Sequence, residues 1–436
     1  MDTSITLNKG QEEAVKAFLG FLLSDEKEML ITGSPGTGKS FLMKYMKKFA
    51  REHYVNACKL IDKEPEYFQF IYTATTNKAA EVLEEFLGEE TSTIHSLLGL
   101  TVFENYETGT STLRKVKDNI INHSIVFIDE CSMINKELYD AIHKYTHDCK
   151  IVYVGDKYQL APVKESISPV FTNTKTIIEL TEPVRNKNHK ELLNICNTLK
   201  ETVKTGKFCD INVDGSVIEY LNKDNIEQRV KKDFEKFSTD KRILCYSNKN
   251  VIGYNRYIQK CKNIPEFIEG GTYICASSFN DFKFRASVES KITIVKMEPE
   301  KDMNLYNIGS IKLIKAIVKN QFGIKGKVYI TREYDKFIKI LKSLANAKHW
   351  KEYYQCKDSI LDIRPYEAST VHKAQGSTLD TVYIDLTDIS RCTQPNMAAR
   401  LLYVSFSRAK EKIVLFGRLK DAYGKIICSG NNGQSS

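Results

Sequence analysis

The sequence has no long apolar run and no closely spaced cysteine pair of the kind that builds metal-stabilised folds. Its 436 residues include one tryptophan, nine prolines and eight histidines. The 11 cysteines are scattered from Cys58 to Cys428 without a C-x-x-C pair, which favours reduced, buried thiols over disulfides or a zinc site. No apolar stretch approaches the roughly 18 residues that a membrane-spanning helix needs. We therefore expect neither a membrane span nor a disulfide scaffold.

Composition is otherwise that of an ordinary globular protein. Hydrophobic residues make up 42% and charged residues 27% of the chain. Its length suggests roughly two to four domains. The 64 basic and 55 acidic residues give a net charge of +9, which favours a polyanionic partner without requiring one.

The first residues, MDTSITLNKGQ, have neither a basic start nor an apolar stretch. A secretory signal needs both. The sequence therefore predicts a cytoplasmic protein.

Residues 33–40 read GSPGTGKS and follow a strand-like apolar run at 29–31. In such a phosphate loop the glycines let backbone N–H groups point at the β-phosphate, and the following helix adds its positive end. Lys39 supplies a charge for the β- and γ-phosphates, and the Ser40 hydroxyl is a ligand for Mg²⁺. The sequence therefore predicts a site for ATP and Mg²⁺. The residues of the loop are Gly33, Ser34, Pro35, Gly36, Thr37, Gly38, Lys39 and Ser40.

The first 185 residues alternate apolar runs with amphipathic stretches. Runs at 68–74, 124–128 and 150–154 are typical of buried parallel strands, and 77–87 and 135–146 have helical spacing. This alternation predicts a doubly wound α/β domain.

A second α/β unit is predicted to begin at 242–246 and to resume at 363–368, 381–386 and 412–416. Between these segments the chain carries short β-like runs and a helical stretch, 336–354, that contains the only tryptophan. The second unit is therefore predicted to hold a β-rich insertion.

Acidic and amide side chains stand where they would meet the nucleotide. Asp129 and Glu130 end one predicted strand, where Asp129 is placed to hold Mg²⁺ and Glu130 to deprotonate the attacking water. Gln159 follows the next strand, and parallel strand ends converge at the nucleotide. We expect it to sense the γ-phosphate. Gln11, ahead of the loop, can donate to and accept from an adenine edge.

Two arginines are candidates for the charge that develops in phosphoryl transfer. Arg185 lies in LTEPVRN and Arg408 in LLYVSFSRAKEK. A guanidinium from a second domain can neutralise the γ-phosphate and make hydrolysis depend on closure of a cleft.

Eight motifs follow one another along the chain. They are GSPGTGKS, TATTNKAAEVL, STIHSLLG, IDECSM, VGDKYQLAPV, LTEPVRN, STVHKAQGST and LLYVSFSRA. Their order and spacing resemble those of superfamily 1 helicases of the RecD-like branch, and most of all the Dda helicases of T-even phages. The resemblance is dense over 7–186 and 363–417 and loose over 187–362.

This resemblance implies an α/β fold with two RecA-like P-loop domains and two insertions. The implied segments are 1–99 and 123–184 for the first domain, 185–260 and 360–428 for the second, 100–122 for a hairpin that acts as a pin at the duplex fork, 261–359 for a β-rich, SH3-like insertion with a helical extension, and 429–436 for a disordered tail.

The resemblance also assigns residues to the nucleotide and to DNA. Gln375 and Gly376 are expected on the γ-phosphate side. Hydroxyl, amide and cationic groups bind DNA phosphates without reading sequence, and the motif residues of this kind are Thr76, Asn77, Lys78, His95, Thr370, His372 and Lys373. In the hairpin, Phe103 or Tyr106 is expected to stack on the end base pair; the alternative is that the aromatic ring fixes the hairpin to the core. The chain departs from the family pattern at Thr75 and Asn77, where relatives often carry proline and histidine.

The implied activity is an ATP-dependent DNA helicase that moves 5′ to 3′ on single-stranded DNA, unwinds forked duplex and couples hydrolysis to cleft closure. We expect a monomer that binds single-stranded and forked DNA, meets replication, recombination or repair proteins, and has no membrane partner. If a phage encodes it, the host cytoplasm is its location. Two alternatives stay open: an RNA helicase of the same superfamily, and an ATP-gated DNA clamp or loader that does not unwind.

Overall fold

The computed structural model describes residues 6–104, 111–117, 119–162, 165–184, 189–236, 240–281, 284–306 and 308–428. Tyr106, Arg185 and the predicted tail at 429–436 lie outside these ranges. The chain divides into two compact units. Unit 1 comprises Met1–Thr101, Lys115–Tyr220 and Ala374–Ser436, and unit 2 comprises Val102–Arg114 and Leu221–Lys373. The domain boundaries expected from the sequence do not coincide with this division and stay a prediction.

Fourteen α-helices occur within the described ranges. They are α1 Lys9–Leu23, α2 Lys39–Tyr45, α3 Arg51–Leu60, α4 Asn77–Leu87, α5 Ile94–Leu97, α6 Lys136–Tyr145, α7 Val170–Asn173, α8 Lys190–Thr205, α9 Lys223–Asp233, α10 Asn248–Lys262, α11 Tyr334–Asn346, α12 Trp350–Ser359, α13 Leu386–Ile389 and α14 Pro395–Ser407. A π-helical turn at Met46–Ala50 joins α2 to α3. Of these helices, none is both long enough and apolar enough to cross a bilayer.

The strands of the described residues are mostly short. They are β1 Glu28–Gly33, β2 Gln69–Ala74, β3 Ser92–Thr93, β4 Leu100–Glu104, β5 Ser111–Lys115, β6 Ile121–Asn122, β7 Ser124–Asp129, β8 Thr146–His147, β9 Lys150–Gly155, β10 Thr176–Leu180, β11 Ile211–Val213, β12 Ile218–Leu221, β13 Lys241–Cys245, β14 Thr272–Cys275, β15 Phe279–Asp281, β16 Phe284–Ala286, β17 Lys291–Met297, β18 Lys301–Leu305, β19 Gly309–Asn320, β20 Lys325–Ile330, β21 Ile363–Arg364, β22 Ala368–Thr370, β23 Leu379–Asp385, β24 Ala409–Phe416 and β25 Ile426–Cys428.

A six-stranded parallel sheet forms the centre of unit 1. Its order is β10-β1-β9-β7-β2-β3, and every neighbouring pair is parallel. The apolar runs predicted as buried strands form β2, β7 and β9, and all six residues of β9 are buried. From α1, Phe18 packs on Phe127 of β7 with ring centroids 5.7 Å apart. Hydrophobic burial on the sheet therefore holds the layers together.

The topology of this sheet brings distant motifs to one edge. Parallel strands end on the same side, so the carboxyl ends of β1, β2, β7 and β9 lie side by side. The residues that follow these ends are the phosphate loop, Thr75, Glu130 and Asp156. A second parallel pair of unit 1, β23 with β24, is connected through α14. The predicted strands at 381–386 and 412–416 are thus confirmed.

Unit 2 contains one parallel pair and a larger antiparallel sheet. β13 pairs with β22 in parallel, whereas the antiparallel sheet runs β18-β19-β17-β14-β21, with β20 also pairing β19. This sheet is the β-rich insertion expected from the sequence, and its core includes Ile292, Ile314 and Val328. Its likeness to an SH3 domain stays a prediction.

Two segments of unit 2 differ from the expected elements. The run 363–368 is not one strand: β21 pairs antiparallel with β14 in the insertion, and β22 begins only at Ala368, after Pro365 has removed a ladder donor. The helical stretch 336–354 is two helices, because the chain turns at Lys348, whose φ is 57°.

The strands β4 and β5 pair with each other where the sequence predicts a hairpin. Residues 102–114 of this hairpin belong to unit 2 and not to the unit that precedes and follows them in the chain. The guanidinium carbon of Arg114 lies 3.9 Å from the ring centroid of Phe103, and Phe103 is 43% exposed. One face of this ring is therefore covered by a cation.

Candidate nucleotide site

The phosphate loop joins β1 to α2 through two left-handed glycines. Gly36 and Gly38 both have φ of 84°, a conformation that costs glycine little and other residues more. A side chain at Gly33 would meet the Leu180 carbonyl oxygen at 2.7 Å. The Thr37 hydroxyl donates to the Ser34 carbonyl at 2.9 Å. The Thr37 N–H donates to the same carbonyl at 3.3 Å, so the loop is tightly closed.

Lys39 begins α2 and reaches back across the loop. Its Nζ donates to the carbonyl oxygens of Gly33 at 2.6 Å and Ser34 at 3.2 Å. These bonds hold the ammonium group beside the loop amides, where phosphate oxygens bind in proteins with this motif.

A cavity of about 340 Å³ opens in front of the loop within unit 1. It gathers the loop with predicted residues from distant parts of the sequence: Lys39, Ser40, Asp129, Glu130, Gln159, Gly376 and Arg408. Its apolar side is lined by Phe41, Ala79, Val82, Phe86 and Val184. One polar end and one apolar side suit a phosphate chain joined to a nucleoside.

Burial and a neighbouring carboxylate disfavour ionisation of Asp129 at the end of β7. Desolvation, followed by the Glu130 charge, raises the pKa of Asp129 to about 7, and Lys39 opposes this shift. Hard oxygen donors of this kind, together with the Ser40 hydroxyl, fit Mg²⁺. A divalent ion would favour the ionised form of Asp129.

Glu130 is held in a strained backbone conformation. Its φ of 53° is left-handed, which costs a residue with a side chain about 1–3 kcal/mol. Its N–H donates to Asp129 Oδ1 at 2.8 Å. Buried Thr75 holds the same corner, because its N–H donates to the Asp129 carbonyl at 3.2 Å and its hydroxyl to the Glu130 carbonyl at 3.1 Å. A proline at position 75 has no N–H for the first of these bonds.

Three glutamines around the site keep a buried polar atom without a partner among the described residues: Gln11 Nε2, Gln159 Oε1 and Gln375 Oε1. Gln11 lies against Gly38, but its Oε1 accepts from the Asn8 N–H at 3.1 Å. Only its Nε2 therefore lacks a partner among the described residues. The expected pairing with adenine through two hydrogen bonds requires the bond from the Asn8 N–H to Gln11 Oε1 to break. Gln375 Nε2 donates to Glu130 Oε2 at 3.4 Å and to the Ser132 hydroxyl at 3.2 Å. Buried amide atoms of this kind are costly without a partner, which fits a polar ligand.

Arg408 follows α14 and lines the cavity. It is 4% exposed, and its guanidinium donates to the carbonyl oxygens of Val404 and Ser377 and to the Ser407 hydroxyl. Burial lowers the pKa of Arg408, with Glu130 opposing the shift, but an arginine stays charged at neutral pH. The structure therefore places the predicted cation at the nucleotide site.

Arg400 on the same helix clamps the loop that carries Gln159, a contact that sequence reasoning missed. Its guanidinium donates to the Lys157 carbonyl at 2.7 Å, to the Gln159 carbonyl, and to the Ser166 carbonyl at 3.4 Å. From α14, the Tyr403 hydroxyl donates to Asp156 Oδ2 at 2.8 Å. The one sequence signal for this contact is an arginine inside the apolar stretch MAARLLYVSF, because a buried charge needs hydrogen-bond partners.

The residues assigned to DNA form ordinary structural contacts within the protein. Thr76 caps α4 by accepting from the Ala79 N–H, and Lys78 lies 3.6 Å from Glu81. Thr370 accepts from the Lys373 N–H, and Lys373 Nζ donates to the Ala276 carbonyl. Burial lowers the pKa of His95, with the Glu137 charge opposing the shift, and burial also lowers the pKa of His372. Their DNA contacts stay predictions.

The strand, loop and helix around GSPGTGKS, with an acidic pair at a neighbouring strand end, define a P-loop nucleotide-binding protein. A family model described as an AAA domain matches residues 6–217, and one described as a UvrD-like helicase C-terminal domain matches 365–416. The chain is 25% identical to the ATP-dependent DNA helicase dda of Enterobacteria phage T4, over 93% of this chain and 98% of that protein. It is also 25% identical to the uncharacterized protein R530 of Acanthamoeba polyphaga mimivirus, over 93% and 99%.

A solved structure shares the fold. The Pif1 helicase from Bacteroides, in complex with ADP-AlF3 and single-stranded DNA, superposes with a TM-score of 0.53 at 16% identity and covers 94% of each chain. These matches support the resemblance to the superfamily 1 helicases of the RecD/Pif1-like branch. The resemblance drawn from the eight motifs and the predicted class of two RecA-like P-loop domains are confirmed.

Replacing Thr75 with valine keeps the branched shape but removes the bond to the Glu130 carbonyl. We expect kcat for ATP hydrolysis to fall about 2- to 10-fold, the effect of one hydrogen bond. KM for ATP should change little, since the role predicted for Glu130 is to act on the attacking water and not to bind ATP. Steady-state ATPase assays check this, with Thr75→Ser as the matched control that restores the hydroxyl. Equal impairment of the serine and valine variants would contradict it.

Replacing Arg400 with methionine leaves the carbonyls of the Gln159 loop buried without donors. We expect the free energy of unfolding to fall by about 3 kcal/mol and kcat for ATP hydrolysis to fall with it, because Gln159 loses its fixed position. Denaturant unfolding and ATPase assays measure both. The control is Arg418→Met, which removes an exposed surface ion pair with Asp421 worth at most about 1 kcal/mol. Similar losses in the two variants would refute the clamp.

Proposed function

We propose that this protein is an ATP-dependent DNA helicase that translocates 5′ to 3′ along single-stranded DNA and separates the strands of forked duplex. The observation that carries the proposal is the cavity that gathers Lys39, Asp129, Glu130, Gln159 and Arg408. A protein that only held a nucleotide would have no need of a base, a sensor and an arginine around the γ-phosphate. The T4 relative, whose name is ATP-dependent DNA helicase dda, supports the choice of DNA.

The residues of the cavity divide the chemistry of hydrolysis among them. Ser40 and Asp129 would hold Mg²⁺, which neutralises phosphate charge when bound. Lys39 binds the β- and γ-phosphates, Glu130 accepts the proton of the attacking water, and Arg408 neutralises the charge that develops on the transferred group. Gln375, bonded to Glu130, orients that carboxylate.

Hydrolysis is proposed to be coupled to movement through the γ-phosphate contacts. Gln159 and Arg408 both reach the phosphate, and both depend on α14, which carries Arg400 and ends at Ser407. Loss of the γ-phosphate removes a shared partner of both groups. We propose that the cleft between the RecA-like domains opens at that step and closes with the next ATP, so that the grip on DNA alternates.

The pin proposal rests on the hairpin β4–β5. Phe103 is partly exposed and lies under the Arg114 guanidinium, which leaves one ring face for a base pair at the fork. Tyr106, the other candidate, lies outside the described residues.

Replacing Lys39 with alanine removes the cation of the phosphate loop. We expect DNA-stimulated ATP hydrolysis to fall at least about 100-fold, since the charge acts on the transition state, while binding of single-stranded DNA stays largely intact. Lys59→Ala, at an exposed lysine, is the control. Robust turnover in the Lys39 variant would contradict the assignment of the site.

Strand separation on duplexes with a 5′ or a 3′ single-stranded tail tests the activity and its direction. Unwinding of the 5′-tailed substrate alone, dependent on ATP, is the expected result. ATPase stimulation by poly(dT) and poly(U) is compared in parallel. Stronger stimulation by poly(U) would make the protein an RNA helicase, and ATP turnover without unwinding of either substrate would make it a clamp or loader.

A further inference from the structure

The hairpin formed by β19 and β20 in unit 2 ends in a turn that the backbone and two residues fully determine. Asn320 N–H donates to the Ile324 carbonyl and Gly323 N–H to the Asn320 carbonyl, both at 3.0 Å. The Asn320 side-chain oxygen accepts from the N–H groups of Phe322 at 3.1 Å and Ile324 at 3.0 Å. Gly323 has φ of 82°, the position that such three-residue loops reserve for glycine. The tip is therefore rigid.

The rigid tip exposes two large apolar side chains that the turn does not use. Phe322 is 65% and Ile324 53% exposed. Neither is part of a hydrophobic cluster of the described residues. Asn320 and Gly323 alone account for the turn. The turn therefore does not explain why an exposed aromatic residue occupies position 322.

Lysines line the outward face of the sheet behind this tip. In the register of the hairpin, Lys319 stands directly opposite Lys325, and Ile317 opposite Lys327. On the neighbouring strand β17, Lys296 stands opposite Ile317. These four lysines are exposed. Like charges directly opposite one another destabilise a sheet, so the fold alone does not favour this pattern.

The positive charge of this face is not neutralised by the protein itself. In the part of the chain that the structure describes, no carboxylate lies within 4 Å of Lys296, Lys319, Lys325 or Lys327, while other lysines of the insertion and its helices, such as Lys336, do form ion pairs. Two acids lie at the end of this sheet away from the tip: the Glu298 N–H bonds to the Lys315 carbonyl, and Glu269 Oε1 accepts from the Met297 N–H at 2.7 Å. The charge complement of the tip and its lysines is a polyanion.

We propose that the tip of the β19–β20 hairpin is a further binding site for single-stranded DNA, in which Phe322 stacks on an unpaired base and Lys319, Lys325 and Lys327 neutralise neighbouring phosphates. Base stacking on an aromatic ring beside a line of cations is the chemistry of sequence-independent single-strand binding. A duplex displays its base faces only at its ends, so the exposed ring favours the single strand. The inference rests on the proposed DNA helicase function and adds a site outside the eight motifs.

Two variants separate the two contributions. Phe322→Ala removes the stacking ring, and the triple variant Lys319→Ala, Lys325→Ala, Lys327→Ala removes the cations. Their matched controls are Phe68→Ala, at a ring that is 62% exposed in unit 1, and the pair Lys59→Ala, Lys63→Ala, at exposed lysines of the same unit. All the replaced side chains are exposed, so we expect every variant to fold. Thermal unfolding of each variant verifies this.

Binding is measured by fluorescence anisotropy with oligothymidines of increasing length and with a blunt duplex, over a series of salt concentrations. We expect Phe322→Ala to weaken binding of the longer oligothymidines about 5- to 100-fold, the loss of one base stack, and to leave duplex binding unchanged. We expect the triple lysine variant to reduce the slope of log affinity against log salt by about 2, since each phosphate contact on a single strand contributes about 0.7. Both controls should bind like the wild type.

Three outcomes would overturn the inference. They are that Phe322→Ala binds single strands as tightly as Phe68→Ala does, that Phe322→Ala weakens duplex and single-strand binding equally, and that the triple lysine variant changes the salt slope no more than its control. If any of these is found while the wild type still shows DNA-stimulated ATPase and strand separation, the inferred site is wrong and the proposed function stands. If the wild type binds no DNA, the proposed function fails and the inference fails with it.

Discussion

The buried guanidinium of Arg400 is the interaction on which the nucleotide site depends. A charged group away from water is tolerated only where hydrogen bonds replace its hydration, and here backbone carbonyls of the Gln159 loop supply most of them. The helix that carries Arg400 is buried from Ala398 to Ser407, so it has little freedom to shift alone. The same helix ends next to Arg408. One rigid element thus sets the position of the Gln159 loop and of Arg408, which both line the cavity in front of the phosphate loop.

A second constraint lies at the corner after β7. The left-handed backbone of Glu130 is strained and is held by hydrogen bonds from Thr75 and to Asp129. Strain of this kind persists only where its surroundings fix it. Glu130 is therefore held by the side chain and backbone of Thr75 at a neighbouring strand end, and Gln375 contacts its carboxylate from another segment of the chain. Both constraints act on residues that line the cavity in front of the phosphate loop.

Much of this site was predictable from the sequence, and the reason is topological. Parallel strands end at one edge, so a phosphate loop, an acidic pair and a glutamine after successive strands must meet. The contacts of Arg400 and Tyr403 were not predictable, because they join segments more than 230 positions apart and leave no local pattern. The run 363–368 was read as one strand because its apolar residues serve two different sheets, which periodicity does not distinguish.

We infer that Arg400 acts through Gln159. A double-mutant cycle on kcat for DNA-stimulated ATP hydrolysis tests this directly, with Gln159→Ala, Arg400→Met and the double variant. Residues that act as one unit are not additive. We expect the double variant to hydrolyse ATP at the rate of the Gln159 single variant. If the loss in the double variant is instead the product of the two single losses, Arg400 and Gln159 act independently and the inference is wrong.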